Sequence, residues 1–251
     1  MTSTSKVGIQ MQLFRRLSLI LTVLVTGYAK KLLSTFSKEM KLRYPLTNFE
    51  LYILAGGESM YWRDVPQSPN NQIAVVLGGH TGNSAVRLAK KGYKVFVFEP
   101  VAEFASEIRE LAKKKHVDLE VLELAAASSN GLVKVSQEGE KTFTLNHRSD
   151  LVSGHNLIAV PSVDFSDWVN ALGSDIGVLE VNIEGSEYDV LDVILTRSIV
   201  SRIDRFNIQF HKVNATSERD REDLRKALAR THTQVWNFDW VWEVWVKKVD
   251  L

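Results

Sequence analysis

The sequence predicts an α/β protein with a doubly wound, mostly parallel sheet and antiparallel strands at its carboxyl end. From Ile73 onward, short apolar strands alternate with helices, which is the pattern of βαβ units. The last segment, 233–249, alternates apolar and polar residues, as two antiparallel strands with one buried face do. The composition agrees, because 45% hydrophobic and 24% charged residues are ordinary values for a globular chain.

The charge and the cysteine content exclude several classes of partner and of active site. The 31 Lys and Arg residues nearly balance the 30 Asp and Glu residues, so no global field attracts a polyanion and we expect no nucleic-acid partner. The absence of Cys removes disulfides, thiolate metal sites and a cysteine nucleophile. It also fits a reducing compartment, and we therefore expect a cytoplasmic protein.

The first 71 residues are predicted to form an extension with an apolar helix and a connecting loop. The uncharged run Leu17 to Ala29 is shorter than the roughly 20 apolar residues that a membrane-spanning helix needs. Three interpretations stay open: a helix that lies on a membrane or packs on the domain, a signal sequence or anchor, and a wrongly assigned start. The first of these predicts peripheral membrane contact through Leu17 to Ala29.

The regular region begins with a buried strand, Ile73 to Leu77, which is apolar throughout. A helix is predicted over Ser84 to Lys91 and a second strand over Lys94 to Glu99. Apolar residues at helical spacing predict a helix over Val101 to Lys115, and Leu119 to Leu124 reads as a third strand. These elements form two successive βαβ units.

A hairpin insert interrupts this alternation. The segments 132–136 and 142–146 flank the turn Gln137 to Glu140, which predicts two antiparallel strands. The alternation then returns with a strand over Gly177 to Ile183 and a helix over Ser186 to Leu195.

The last parallel strand is predicted over Arg205 to His211 and the last helix over Glu218 to Ala229. Ser217 and Asp220 have the spacing of a capping pair for that helix. The helix leads into the two terminal antiparallel strands, whose tryptophans are expected to fill the face of the sheet.

A glycine-rich turn follows the first strand. Gly78, Gly79 and Gly82 leave bare main chain next to the start of a helix, where free N–H groups favour an anionic or polar ligand. Glu99 ends the second strand, where an acidic side chain meets ribose hydroxyls in related sheets. We therefore predict an adenosine site, although a tight structural connection is the alternative. The spacing is not G-x-G-x-x-G, so nicotinamide dinucleotides and S-adenosylmethionine (SAM) both remain candidate ligands.

An NAD-dependent oxidoreductase of the short-chain type is one alternative function. Its catalytic pair is a Tyr and a Lys four residues apart, and none of the six tyrosines here has a Lys four residues later. The sequence therefore lacks the acid that hydride transfer in that family uses.

The segment "VLEVNIEGSEYDVL", Val178 to Leu191, places Asn182, Glu184 and Glu187 at the carboxyl end of a strand. Here the chain resembles the FkbM-type family of SAM-dependent methyltransferases, also through "VVLGGHTGNS", "FVFEP", "LAAASSNG", "IQFH" and "VWNFDWVWEVW". The resemblance runs from about residue 73 to residue 247. It implies a Rossmann-like class I methyltransferase sheet and a methyltransferase domain over residues 72–251.

The resemblance implies that the cofactor is S-adenosyl-L-methionine. Gly78, Gly79 and Gly82 would face its methionine and ribose part, and Glu99 would hold the ribose hydroxyls. The remaining cofactor-binding candidates lie beside these residues or border the adenine: His80, Asn83, Pro100 and Ala126. The chain departs from the family at Val76 and Asn182, where Asp is common.

Methyl transfer requires an acceptor oxygen aligned behind the methyl group and a base that removes its proton. Glu184 and His211 end neighbouring strands and are the candidate bases, and Asn182 lies beside the reacting centre. Structural roles are the alternatives: a helix cap for Glu184 and a buried strand end for His211. No paired-carboxylate or His-x-x-His spacing supports a metal, so we expect none.

The predicted function is O-methyl transfer from SAM to a hydroxyl. The family resemblance implies a small-molecule or glycan-type acceptor, with a sugar hydroxyl as the first candidate. A catalytically weak SAM-fold binding protein is the second alternative, because of the departures at Val76 and Asn182.

Overall fold

The computed structural model describes residues 47–68, 70–138, 141–145 and 157–249. Its helices are α1 (Asn48–Leu54), α2 (Gly57–Asp64), α3 (Asn83–Lys90), α4 (Ala102–Lys115), α5 (Phe165–Leu172), α6 (Glu187–Thr196) and α7 (Ser217–Leu228), with a short 3-10 helix at Ile199–Arg202. Its strands are β1 (Ile73–Leu77), β2 (Lys94–Phe98), β3 (Glu120–Leu122), β4 (Ala125–Ala127), β5 (Gly131–Glu138), β6 (Lys141–Leu145), β7 (Leu157–Asp164), β8 (Ile176–Val181), β9 (Arg205–Ile208), β10 (His232–Phe238) and β11 (Trp242–Lys247).

The main sheet has seven strands in the order β10-β11-β9-β8-β1-β2-β3. β1 pairs in parallel with both β2 and β8, and parallel pairing continues from β2 to β3 and from β8 to β9. Three residues join the neighbouring strands β10 and β11, a connection that only an antiparallel hairpin permits. The predicted class, a doubly wound Rossmann-like sheet with antiparallel carboxyl-terminal strands, is confirmed.

The chain reverses its direction of travel across the sheet between β1 and β8. It first moves outward through β2 and β3, and it then returns to the other side of β1. In open α/β sheets, ligands bind beyond the carboxyl ends of the strands at such a switch point. The topology therefore directs attention to the loops that follow β1, β2 and β8.

The central strands form the core because nearly all of their side chains are apolar. Every residue of β8 is buried, as are four of the five residues of β1 and of β2. α3 covers them with Ala85, Val86 and Leu88, and burying a side chain the size of Leu88 stabilises the fold by about 1.5–3 kcal/mol. A rigid sheet thus supports the loops at its carboxyl edge.

The predicted hairpin is confirmed, with Glu138 opposite Lys141 in the antiparallel pair of β5 and β6. It belongs to a second sheet with the order β4-β7-β5-β6, in which β5 also pairs with β7. The sequence pattern did not predict β4 or β7.

Two local predictions need correction. The last parallel strand ends at Ile208 and not at His211, so His211 lies in the segment after the strand. The predicted Ser217 and Asp220 capping pair is wrong, because Thr216 is the N-cap of α7 and its hydroxyl binds Asp220. Ser217 Oγ instead accepts hydrogen bonds from main-chain N–H groups of the preceding loop.

The chain divides into two compact units. Of the described residues, the larger unit takes those within 67–234 and 244–249, and the smaller takes 47–66 and 235–243. Within the smaller unit, edge-on ring contacts join the helices to the tip of the terminal hairpin: Tyr52 with Phe238, and Tyr61 with Trp236 and Trp242. The division into an extension over residues 1–71 and a catalytic domain over residues 72–251 stays a prediction.

The predicted localisation, cytoplasmic with membrane association through Leu17 to Ala29, does not hold. Among the residues that the structure describes, no helix combines the length and the apolar character that crossing a membrane requires. The segment Leu17 to Ala29 itself lies outside those residues.

Candidate active site

Main-chain hydrogen bonds tie the carboxyl ends of four strands together. The N–H of Gly78 after β1 donates to Phe98 O of β2 (3.0 Å), and the N–H of Asn182 after β8 donates to Leu77 O of β1 (3.0 Å). The N–H of Gln209, just after β9, donates to Val181 O of β8 (2.9 Å). The loops that carry the candidate site residues therefore leave one edge of the sheet from a common, rigid base.

The glycine turn is packed closely against neighbouring protein. A Cβ at Gly78 would lie 1.9 Å from Asn182 O, and a Cβ at Gly79 would lie 2.5 Å from both Ile108 Cδ1 and Val97 Cγ1. At Gly82 the nearest atoms, at 3.2 Å, again belong to Ile108. The sequence pattern assigned these glycines to a ligand, but the structure shows that the contacts with β8, β2 and α4 already require them.

Glu99 is buried and directed at the glycine turn. Its Oε2 accepts the main-chain N–H of His80 (2.9 Å), and its Oε1 accepts that of Val101 (3.0 Å). Burial is the largest influence and raises the pKa of Glu99, while the N–H groups of His80 and Val101 oppose it without cancelling it. The two carboxylate oxygens offer about four lone-pair sites, and the main-chain N–H groups of His80, Val101 and Gly79 do not use all of them, so acceptor capacity remains for a ribose hydroxyl.

Three features of this edge fit a ligand that carries hydroxyl, ammonium and carboxylate groups: two acceptors and the donors of a helix start. Glu99 has acceptor capacity left, and Asn182 Oδ1 is buried without a hydrogen-bond partner in the described chain. α3 begins after Gly82, which offers no side-chain cap, so the first N–H groups of this helix lack a side-chain acceptor. The residues present therefore fit SAM.

The other predicted cofactor residues differ in their exposure and in their distance along the chain from Glu99. The exposed ring of His80 packs edge-on against Phe104, with 5.5 Å between ring centroids. Asn83 Nδ2 donates to Thr81 Oγ1 on the surface, and Pro100 is half-buried. Ala126 is buried in β4. Among the described hydrogen bonds and ring contacts, none joins Asn83 or Ala126 to Glu99.

A buried carboxylate holds His211 at the same edge. Oε1 of Glu187 accepts the main-chain N–H of His211 (2.6 Å) and lies 3.0 Å from its Nδ1. Oε2 of Glu187 accepts the N–H of Gly185 (2.7 Å). On the other side of the imidazole, Nε2 lies 3.3 Å from Oε2 of Glu184. The structure thus brings the predicted pair Glu184 and His211 together and adds Glu187.

The surroundings of His211 favour its charged form. Burial is the largest influence and lowers the pKa of His211, but the hydrogen bond and charge of Glu187, together with the charge of Glu184, outweigh it. The net effect is a raised pKa. Both ring nitrogens face a carboxylate, and the shorter contact of Nδ1 with Glu187 (3.0 Å against 3.3 Å for Nε2 with Glu184) favours the neutral tautomer that carries N–H on Nδ1 and the lone pair on Nε2.

The turn after β8 has an uncommon backbone. Glu184 has φ +50° although it is not a glycine, and such conformations are often found at functional sites. The next residue, Gly185, has φ +111°, and a Cβ there would lie 2.6 Å from Val213 Cγ1. Only glycine allows the turn to approach this closely to the segment that carries His211.

The sequence predicts Glu187 at the carboxyl end of a strand, but it does not indicate a part for Glu187 in catalysis or cofactor binding. Its position as the first residue of α6, three residues after Glu184, was the available signal, because a carboxylate there can reach back to free N–H groups. Within the described part of the chain, no group of three or more His, Asp or Glu side chains is arranged to hold a metal ion.

Comparisons with known proteins agree with this geometry. The family model described as the methyltransferase FkbM domain matches residues 77–238. No curated protein sequence matches the chain.

Solved structures of similar fold are distant in sequence. SMU.1697c from Streptococcus mutans, solved with SAH, is 12% identical over 71% of this chain and 90% of its own, with a TM-score of 0.46. An rRNA methylase from Streptococcus thermophilus is 11% identical over 78% and 96%, with a TM-score of 0.45. Fibrillarin from Aeropyrum pernix, solved with SAM, is 8% identical over 74% and 69%, with a TM-score of 0.39.

The family model covers both halves of the site, from the glycine turn to His211 and beyond. The predicted cofactor is confirmed as S-adenosyl-L-methionine, and the reaction is methyl transfer. On this match over most of its length, the chain belongs to the methyltransferase FkbM domain family.

Proposed function

We propose that this methyltransferase transfers the methyl group of SAM to a hydroxyl oxygen of a sugar or glycan-type acceptor. One observation carries the proposal: His211 is held at Nδ1 by a buried carboxylate, with Nε2 next to Glu184 at the ligand-binding edge of the sheet. This arrangement provides the base that a hydroxyl acceptor needs, because a hydroxyl must lose its proton as the new bond forms.

When bound, SAM supplies an electrophilic methyl group on a sulfonium whose leaving group is a neutral thioether. His211 accepts the acceptor proton at Nε2 while the acceptor oxygen forms its bond to the methyl carbon. The imidazolium that results lies between the carboxylates of Glu187 and Glu184, which stabilise its charge. The proton of the acceptor hydroxyl therefore ends on His211, and no further base is needed in the described site.

Glu99 and Asn182 are the residues proposed to hold the cofactor. The remaining acceptor capacity of Glu99 would hold a ribose hydroxyl, and Asn182 Oδ1 would accept a hydrogen bond from a donor of the methionine part. Asn182 is a departure from the family, where Asp is common, and a neutral amide is less costly than a carboxylate at a buried position without a partner. The main chain at Gly78 to Gly82 completes this side of the site.

The acceptor is assigned from the hydrogen-bonding character of the site. Glu184 offers a partly exposed carboxylate beside His211, which suits the several hydroxyl donors of a neutral sugar. The net charge of +1 provides no field that would attract a polyanion such as RNA. The family's association with glycan and polyketide tailoring is a further reason to test a sugar hydroxyl first.

SAH formation tests the proposal with neutral sugars, RNA and a peptide amine as separate acceptors. We expect turnover with a sugar, and a loss of 100-fold or more in His211→Ala, in the range of about 10²–10⁴ that general bases contribute. The control is Glu218→Gln, an exposed residue in the first turn of α7. Turnover with RNA alone would refute the sugar acceptor, and SAM binding without turnover on any acceptor would indicate a binding protein.

A further inference from the structure

We propose that Glu187 is a positioning residue for the methyl-transfer reaction: it fixes the His211 ring with Nε2 as the proton-accepting atom and stabilises the charge that this proton brings. The inference depends on the proposed function for the role of His211 as base. It adds a residue that acts through His211 and does not itself contact the acceptor.

Protein donors surround the Glu187 carboxylate on both sides. Its side chain is 0% exposed, and its partners are the N–H of Gly185, the main-chain N–H of His211 and the ring nitrogen Nδ1. A buried carboxylate is costly unless such donors surround it. Because both oxygens are occupied, the carboxylate has one orientation and transmits that orientation to the ring.

Glu187 also selects the tautomer of His211. A neutral imidazole has one N–H and one lone pair, and Nδ1 must carry the N–H in order to donate to Glu187. The lone pair is then confined to Nε2, which lies 3.3 Å from Glu184. The Nε2 lone pair and the Glu184 carboxylate both accept hydrogen bonds. The space beside these two atoms therefore suits a hydrogen-bond donor, such as the hydroxyl of the substrate that receives the methyl group.

The charges around the His211 ring act in the same direction. Glu187 on the Nδ1 side and Glu184 on the Nε2 side both favour its protonated form. Tyr188 contacts the same residue differently, because its hydroxyl donates to the main-chain oxygen of His211 (2.7 Å). Removing Tyr188 OH therefore disturbs the backbone of His211 without removing charge from the ring, which makes it a matched control.

The test follows the imidazole signal of His211 by NMR as a function of pH in the protein without added SAM. We expect Glu187→Gln to lower the titration midpoint of His211 by about one pH unit or more, the usual effect of losing an adjacent opposite charge. Glu187→Asp keeps a charge farther from the ring and should give an intermediate midpoint. Tyr188→Phe should lower the melting temperature but leave the midpoint within a few tenths of a pH unit.

Kinetics and cofactor binding complete the test. In Glu187→Gln we expect kcat to fall about 10-fold or more, the acid limb of its pH profile to move to lower pH, and the calorimetric Kd for SAM to stay unchanged. Should Glu187→Gln fail to fold, the intermediate midpoint of Glu187→Asp decides.

The inference is overturned if the His211 titration midpoint is unchanged in the Glu187 variants, or if Tyr188→Phe shifts it equally. Either result would show that Glu187 only holds the main chain of His211 in place. A shifted midpoint in a protein without turnover on any acceptor would locate the failure in the proposed function, because the ring would still be positioned as inferred.

Discussion

Glu99 and Glu187 are both buried carboxylates whose described hydrogen bonds come largely from main-chain N–H groups. Hydrogen bonds to a charged group are roughly twice as strong as neutral ones, and here they help to offset the cost of burying the charge. The two glutamates differ in their remaining hydrogen-bonding capacity. Glu99 can still accept a hydrogen bond from a ligand, whereas the Glu187 carboxylate is directed to His211.

Replacing the Glu99 carboxylate by an amide is expected to weaken SAM binding. A hydrogen bond to a charged group contributes about 1.5–3 kcal/mol, so Glu99→Gln should raise the Kd for SAM by about 10-fold or more in calorimetry. Glu103→Gln, in the exposed first turn of α4, is the control and should leave the Kd unchanged. Equal affinities of all three proteins would remove Glu99 from the cofactor site.

The raised pKa of His211 makes part of the stability depend on pH. Because the folded pKa lies above the ordinary value of 6.5, the protonated ring stabilises the fold below pH 6.5, and this contribution is lost as the pH rises through the folded pKa. Urea unfolding at pH 6 and pH 9 should show a larger loss for the natural chain than for His211→Gln, and equal losses would contradict the raised pKa.

Glu99, Glu184 and His211 could be found from the sequence because each follows a recognisable strand. Glu187 could not be given its role in this way, since that role depends on partners in the segment after β9. Nor could the sequence show that the glycines are required by Ile108 and Asn182, because such contacts join residues far apart along the chain.

The turn between β1 and α3 owes its form to close packing as much as to its own dihedral angles. Gly79 illustrates this, because α4 and β2 occupy the space that a side chain would need. The glycine turn therefore packs tightly against α4, and a rigid loop loses little entropy when a ligand binds.

Overpacking at Gly79 should destabilise the protein. The new Cβ of Gly79→Ala would meet Ile108 and Val97 at 2.5 Å, and overpacking of this kind costs about 1–3 kcal/mol in the free energy of unfolding. Adding Ile108→Val removes the clashing Cδ1 and should restore part of the loss in denaturant unfolding. Without any recovery in the double variant, the clash with Ile108 would not be the cause.

Gly173 provides the matched comparison for strain alone. It has φ +69° and no atom within 4 Å of an added Cβ, so Gly173→Ala meets no steric clash. Its cost should be about 1–2 kcal/mol, from the left-handed backbone only, and no substitution at Ile108 should relieve it. Relief of both glycine variants by Ile108→Val would mean that the effect is not local.

The spacing of hydrophobic residues predicts most strands of the main sheet and the helices between them. The observed ends of these elements lie close to the predicted ends. β4 and β7 did not follow, for physical reasons. β4 is only three residues of alanine, and β7 contains Pro161, which cannot donate to a sheet and normally argues against an inner strand. Their pairing with each other and with β5 supplies what their own sequences lack.

The strand order could be anticipated only in part. Alternating strands and helices predict a parallel sheet, but they do not say on which side of β1 the later strands return. The observed order places the switch point between β1 and β8, so that the loops after these strands, more than a hundred positions apart, lie at one edge of the sheet.

Cofactor binding should raise the stability of the folded state as a whole. A ligand that binds only the native protein, supplied at 100 times its Kd, stabilises it by about 2.7 kcal/mol. We expect SAM and SAH to raise the melting temperature in a concentration-dependent way, and NADH to leave it unchanged. A comparable rise with NADH would reopen the dinucleotide interpretation of the glycine turn.

The smaller compact unit joins helices that precede residue 67 to the tip of the terminal hairpin, so residues 67–234 are synthesised between its two parts. On the ribosome, Tyr52 and Tyr61 emerge long before Trp236, Phe238 and Trp242 can cover them. Nascent chains fold largely in order of emergence, and partners so distant are slow to meet. The ring contacts of these two tyrosines can therefore form only after the hairpin has been translated, whatever else the amino-terminal helices contact before then.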